Sequence, residues 1–134
     1  MRTLVTGATG FVGRHVCAHL REQGIEAIAV SQEGEADVVV DVRDRDGLMR
    51  AFASTRPDSV IHLAAIAYVP QANADPDVAD AVNRGGTANV LDGARSVDAC
   101  TLFVSSAAVY GRVPDARMPI TEEEPVAPGD AYGE

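Results

Sequence analysis

Short apolar runs alternate with helical repeats along most of this chain. Val, Ile, Leu and Ala dominate five runs, which predict strands over residues 2–6, 27–30, 38–40, 60–63 and 101–105. Between them, apolar residues recur every three or four positions, which predicts helices over 11–23, around Leu48 and Phe52, and from Pro76 to Ala94. Strands that are apolar on both faces and separated by helices favour a parallel sheet with helices on each side. The pattern therefore predicts a doubly wound α/β fold.

The order of these elements also indicates where a ligand would bind. In a doubly wound sheet, ligands bind beyond the carboxyl ends of the strands. Residues 107–131 follow the last predicted strand and contain four of the seven prolines, without a sustained period. We expect them to form a loop over such a site.

Length, charge and cysteine content narrow the function classes. With 134 residues and no shift in composition, the chain is expected to form one domain. A net charge of -9 argues against nucleic acid or an anionic membrane as the main partner. Cys17 and Cys100 lack metal-ligand or C-x-x-C spacing, so we expect no metal site and two buried, reduced thiols. The first strand starts near Met1 and no apolar run reaches bilayer length, which makes a cytoplasmic location the expectation.

The first predicted strand ends in a glycine-rich turn. Gly7, Gly10 and Gly13 are spaced three residues apart between the run Leu4-Val5 and the first helix. Such a turn directs free backbone N–H groups and the positive end of the helix dipole at one point, where a pyrophosphate would bind. The same glycines could instead serve an ordinary tight turn and close packing of helix on strand.

The turn resembles the opening motif T-G-x-x-G-x-x-G of the extended short-chain dehydrogenases, which include nucleotide-sugar epimerases, dehydratases and reductases. The resemblance implies a Rossmann-like sheet, truncated here after the fifth strand, with NAD or NADP as the cofactor. It also implies cofactor contacts from the turn and from the ends of later strands: Gly7, Thr9, Gly10, Phe11, Val12, Gly13, Ser31, Asp41, Val42, Leu63, Ala64, Ala65, Asn83 and Val104.

Two positions bear on which nucleotide is bound. After the second strand, Ser31-Gln32 stands where such folds usually carry an acidic residue for the ribose, and Arg14 could approach a 2′-phosphate, so we favour NADP(H). Arg14 could equally be a solvated helix residue. Asp41 matches the family's contact to adenine, and it could equally cap the helix that begins near Asp44.

Two polar residues lie inside otherwise apolar elements. His62, within the fourth strand, is interpreted as a core residue with satisfied hydrogen bonds rather than a catalytic group. Asn83 begins a stretch similar to the family's N-x-x-G-T-x-N-x-L helix, where the asparagine braces the site. A buried asparagine within a helix needs partners, so we expect a polar role for it.

The fifth strand and the end of the chain carry the expected catalytic residues. Residues 105–111 closely resemble the family's S-S-x-x-V-Y-G signature, which implies that Ser106 hydrogen-bonds the reacting sugar oxygen. Tyr132 begins a Y-x-x-x-K motif and is implied to be the acid, whereas Tyr110 is interpreted as a packing residue. The lysine would be residue 136, so we expect this chain to be an amino-terminal piece that lacks the carboxyl-terminal substrate part.

The resemblance leaves several reactions open. Dehydratases of this family carry an Asp-Glu pair where this chain has Ala107 and Ala108, which disfavours dehydration because alanine cannot move a proton. Short loop matches favour a 4-ketoreductase acting on GDP-4-keto-6-deoxymannose over a nucleotide-sugar 4-epimerase. The other hypotheses are a cofactor-binding protein without chemistry and an inactive fragment. The intact parent is expected to bind a nucleotide-sugar and to form a homodimer.

Overall fold

The computed structural model describes residues 1–130 and 132–133. These residues form five strands and five α-helices, with α1, α2 and the group α3 to α5 each lying between strands. The strands are β1 (Arg2–Thr6), β2 (Glu26–Ser31), β3 (Val38–Val39), β4 (Ser59–His62) and β5 (Cys100–Phe103). The helices are α1 (Phe11–Glu22), α2 (Arg45–Thr55), α3 (Val69–Ala74), α4 (Pro76–Asp80) and α5 (Gly86–Ser96), with a single π-helical turn, Ala81–Gly85, joining α4 to α5.

All strand pairs are parallel, and the sheet order is β3-β2-β1-β4-β5. The chain builds outward from β1 to β3 and then crosses back to place β4 on the other side of β1. The strand order therefore reverses between β1 and β4, which is where a doubly wound sheet opens a crevice at its carboxyl edge. The doubly wound, Rossmann-like α/β fold predicted from the sequence is confirmed.

Alternation along the central strands builds two apolar cores, one on each face of the sheet. Leu4 faces the core made with α2 and α5, which includes Leu48, Phe52 and Val90. Val5 faces the smaller core under α1, together with Cys17. Successive residues of a strand point to opposite faces, so β1 supplies both cores and is fully buried there.

The structure departs from the sequence predictions in three places. Helix α3 lies outside the predicted helices; it begins at Val69-Pro70, where proline fits a first helical turn. The long helix predicted from Pro76 is interrupted by the π-helical turn. Strand β5 ends at Phe103 rather than 105, and Cys100, expected to be buried, is exposed.

Exposure of β5 has a structural reason. It is an edge strand, and Leu102, Phe103 and Val104 are all more than half exposed. The expectation that every strand is buried on both faces is therefore wrong for β5. Within residues 1–130 and 132–133, the helices are too short or too polar to cross a bilayer.

Close packing of α5 on α2 depends on Gly93. A Cβ at this position would lie 2.2 Å from the Phe52 ring. We expect Gly93→Ala to lower the free energy of unfolding by about 1–3 kcal/mol, the usual range for an overpacked core, although alanine is the better helix former. Gly85→Ala is the matched control, since its nearest neighbour would be 3.9 Å away. Urea unfolding of both variants tests this, and equal stability of the two would contradict it.

Candidate functional site

The glycine turn lies against the exit of β4, at the point where the strand order reverses. Gly7 has a φ of +67°, and a Cβ there would lie 2.8 Å from the backbone nitrogen of Ala64. A Cβ at Gly13 would lie 2.2 Å from the Gly7 carbonyl oxygen. Both positions therefore need glycine. Gly7 needs it for its positive φ and for the close approach of Ala64, and Gly13 needs it only because there is no space for a side chain.

The turn presents backbone N–H groups at the start of α1. Gly10 caps the helix without a side-chain hydrogen bond, and the first N–H that the helix itself satisfies is that of Arg14, which donates to the Gly10 carbonyl at 3.1 Å. The N–H groups of Phe11, Val12 and Gly13 precede it, and the first turn carries no acidic residue. This arrangement suits an anion such as a pyrophosphate.

Thr9 and Ser31 connect the turn to the end of β2. Their hydroxyl oxygens are 2.6 Å apart, and Ser31 is buried. Ser31 thus lies beside the turn with its hydroxyl engaged by Thr9, and contacts from Thr9 and Ser31 to a cofactor stay predictions. Arg14 is exposed on α1. The preference for NADP(H) over NAD(H) stays a prediction.

Asp41 is held by its neighbour Arg43. Its carboxylate accepts the Arg43 backbone N–H at 2.9 Å and pairs with the guanidinium, and these hydrogen bonds lower the pKa of Asp41. The cap of α2 is Asp44, which accepts the Gly47 N–H at 2.9 Å, so the alternative reading of Asp41 as that cap is wrong. Val42 is buried beneath Gly86 of α5. Contacts from Asp41 and Val42 to adenine stay predictions.

The exit of β4 is fixed by Thr6 of β1. The N–H groups of Leu63 and Ala64 both point at the Thr6 hydroxyl oxygen, each at 3.2 Å. Leu63 and Ala64 are partly buried and Ala65 is exposed. Leu63 and Ala64 thus lie beside Gly7. Contacts from Leu63, Ala64 and Ala65 to a cofactor stay predictions.

His62 is a core residue with both ring nitrogens in hydrogen bonds. Nδ1 is 2.6 Å from the Thr6 hydroxyl oxygen and Nε2 is 3.0 Å from that of Thr87. Burial lowers the pKa of His62, so the ring is neutral at pH 7. Thr6 and Thr87 were missed in the sequence, although Thr6 pairs in register with His62 at the ends of two buried strands.

Asn83 lies in the π-helical turn and clamps the loop after β4. Its Oδ1 accepts the Ile66 N–H at 2.8 Å, and its Nδ2 donates to the Ile66 carbonyl at 3.2 Å. The expected polar role is therefore present as a two-bond brace. π-helical turns recur at functional sites because they redirect one side chain out of the helical register. Contact between Asn83 and a cofactor stays a prediction.

Ser106 and Tyr132 lie on adjacent segments. Ser106 caps a short 3-10 turn, Ala107–Tyr110, and its hydroxyl accepts the Ala108 N–H at 3.2 Å. A Cβ at Gly133 would be 2.7 Å from the Ala108 carbonyl oxygen, so Gly133 packs on this turn. Beside it is a cavity of about 340 Å³ lined by Ala108, Gly111, Arg112, Gly129 and Asp130. Val104 is exposed just before this turn.

Comparison with known proteins places the chain in a family. Residues 3–134 match the model of the NAD dependent epimerase/dehydratase family. GDP-6-deoxy-D-mannose reductase of Pseudomonas aeruginosa is 36% identical over an alignment of 133 positions, which covers 98% of this chain and 42% of the reductase. UDP-glucose 4-epimerase 2 of rice (Oryza sativa) is 33% identical over 152 positions, which cover 97% of this chain and 36% of the epimerase.

Solved structures agree with this assignment. The UDP-glucose 4-epimerase of Thermus thermophilus in complex with NAD superposes with a TM-score of 0.89 at 32% identity, over 99% of this chain and 46% of that one. RMD of Pseudomonas aeruginosa in complex with NADPH gives a TM-score of 0.82 at 34% identity, over 98% and 43%. This chain thus spans less than half the length of these relatives. The glycine turn, the parallel sheet and the family match all support one assignment. The chain belongs to the NAD dependent epimerase/dehydratase family, whose cofactor is NAD or NADP.

Proposed function

We propose that residues 1–134 are the NAD(P)-binding part of a nucleotide-sugar oxidoreductase, a 4-ketoreductase acting on a nucleotide 4-keto-6-deoxyhexose. The observation that carries this proposal is the narrow space between Gly7 and Ala64, which we call the cradle. A side chain at Gly7 would collide there with the backbone of Ala64. The phosphates of a dinucleotide bound in the cradle would meet the N–H groups at the start of α1. We also propose that the carboxyl-terminal part of the parent binds the sugar, and that the parent is a cytoplasmic homodimer.

Two side chains of this chain would act on the substrate. Bound NADPH or NADH supplies the hydride that reduces the C4 ketone. Tyr132 donates its phenolic proton to the oxygen as negative charge develops there. The Ser106 hydroxyl accepts from the Ala108 N–H, so its own hydrogen remains available to donate to the same oxygen and stabilise the charge.

Alignment length favours the reductase over the epimerase. The alignment with the GDP-6-deoxy-D-mannose reductase spans 133 positions, almost the length of this chain, whereas the alignment with the rice epimerase spans 152 and so contains insertions that this chain lacks. A 4-epimerase is the second candidate, because epimerases are among the relatives of comparable identity.

The two reactions differ in how they use the cofactor, and this provides the test. We expect the intact parent to oxidise one NADPH or NADH for each GDP-4-keto-6-deoxymannose consumed, because a reductase does not recover its hydride. An epimerase would interconvert UDP-glucose and UDP-galactose without net oxidation of the cofactor. Nucleotide absorbance together with product chromatography separates the two outcomes. Cofactor binding without either reaction would leave the third candidate, a binding protein without chemistry.

A further inference from the structure

A chain of hydrogen bonds runs through the sheet between the glycine turn and the π-helical turn. It passes from the N–H groups of Leu63 and Ala64 to Thr6, then to His62, Thr87 and the Asn83 carbonyl. Thr6 and His62 are 0% and 3% exposed. These side chains come from β1, β4 and α5, so the chain of bonds joins three separate elements.

Donors and acceptors along this chain allow one consistent assignment. The Thr87 hydroxyl donates to the Asn83 carbonyl, so it accepts from His62 and places the ring hydrogen on Nε2. Nδ1 is then an acceptor, and the Thr6 hydroxyl donates to it at 2.6 Å. The Thr6 oxygen retains its lone pairs for the N–H groups of Leu63 and Ala64. Every polar group is satisfied only with a neutral His62.

The segments fixed in this way are those that surround the cradle. Thr6 directly precedes Gly7, and Ala64 is the residue that leaves no room for a Cβ at Gly7. Asn83, at the far end, clamps Ile66 on the same loop. Removing the central ring would take away the acceptor that orients the Thr6 hydroxyl and the donor that the Thr87 hydroxyl accepts, while the apolar packing of the sheet stays in place.

We propose that His62 is a positioning residue for the cofactor site. Its neutral ring, which carries its one N–H hydrogen on Nε2, sets the distance between the β4 exit and the glycine turn. This inference rests on the proposed function, since it assumes that the cradle holds a dinucleotide. The sequence alone suggested only that His62 is a satisfied core residue. The contacts show that it bonds Thr6, which directly precedes Gly7 and accepts from the Ala64 N–H, and Thr87, which donates to the Asn83 carbonyl.

The test compares cofactor affinity with stability in this chain. His62→Phe keeps a planar ring that can pack beside Phe103, whose ring centre is 6.1 Å from that of His62, but it loses both hydrogen bonds. We expect it to weaken NADH or NADPH binding by about tenfold, because binding must then order the loosened loop. In His62→Asn the amide oxygen replaces Nδ1 as the acceptor for Thr6, and most of the lost affinity should return.

The matched control lies at the other end of the same strand pair. Thr3 and Ser59 hydrogen-bond at 2.9 Å between β1 and β4, in register, far from the carboxyl edge. Thr3→Val should lower the melting temperature and leave the dissociation constant within about twofold, as expected for a site that it does not touch. If Thr3→Val weakened the cofactor as much as His62→Phe, the effect would be general destabilisation and the inference would fail.

Two further measurements test the inference even if His62→Phe does not fold. Thr87→Val breaks the chain of bonds at its other end and serves if His62→Phe does not fold; we expect about threefold weaker binding. Nitrogen-15 NMR of the wild-type imidazole should show the hydrogen on Nε2. A hydrogen on Nδ1, or wild-type affinity in His62→Phe or Thr87→Val, would overturn the inference and leave the proposed function standing. Absence of any cofactor binding by the wild-type chain would overturn both.

Discussion

Gly7→Ala is expected to weaken the binding of NADH or NADPH to this chain by about 100-fold, equivalent to about 2.7 kcal/mol. Two costs combine at this position. Alanine is disfavoured at a φ of +67° by about 1–2 kcal/mol, and its Cβ would lie 2.8 Å from the backbone nitrogen of Ala64, which cannot rotate away. The turn would have to open and move its N–H groups away from the phosphates.

Gly24→Ala separates these two costs. Gly24 follows α1 with a φ of +73°, and a Cβ there would have nothing within 4 Å. This variant should lose stability by about 1–2 kcal/mol from backbone strain alone and keep its cofactor affinity. Calorimetric titration and thermal unfolding of both variants provide the measurement. Equal affinities in Gly7→Ala and wild type would show that the phosphates bind elsewhere.

Tyr132→Phe in the intact parent is expected to lower kcat by about 10²–10⁴-fold, the usual contribution of a general acid, with cofactor affinity almost unchanged. The phenol hydrogen is the proton that the developing alkoxide would take, and phenylalanine removes only that oxygen. Steady-state kinetics with the reductase substrate, together with equilibrium binding of NADPH, measure the two effects separately.

Tyr110→Phe is the matched control for Tyr132→Phe. Tyr110 ends the 3-10 turn after Ser106 and is interpreted as a packing residue, so its variant should retain kcat within about twofold. A large loss in Tyr110→Phe combined with normal turnover in Tyr132→Phe would exchange their roles. Loss of cofactor binding in Tyr132→Phe would instead indicate a structural role for that tyrosine.

Local patterns in the sequence were sufficient to predict the parallel sheet and the glycine turn. Strand β1 begins and ends where its apolar run predicts, because a buried parallel strand must be apolar at successive positions. The edge strand β5 was predicted less well. Its exposure depends on which strand ends up at the border of the sheet, and nothing in residues 100–105 records that position.

The capping of α2 shows the same limit at shorter range. The sequence offers Asp41 as a cap for a helix beginning near Asp44, but the helix begins at Arg45 and Asp44 itself is its cap. Asp41 is instead paired with Arg43, two residues away. Which aspartate caps α2 depends on backbone geometry that residue types alone do not specify.

The sequence by itself determined the five strands and the glycine turn, since each depends on residue types at fixed spacing. Ser106 and Tyr132 follow from the resemblance to the family, and their catalytic roles stay predictions. Tertiary structure alone decided that His62 and Thr6 meet, because their partnership spans 56 residues and exists only where β1 and β4 pair in register. It also decided that Gly7 faces Ala64 and that Asn83 clamps Ile66. Contacts between distant segments follow from how elements pack, and packing is a property of the whole fold.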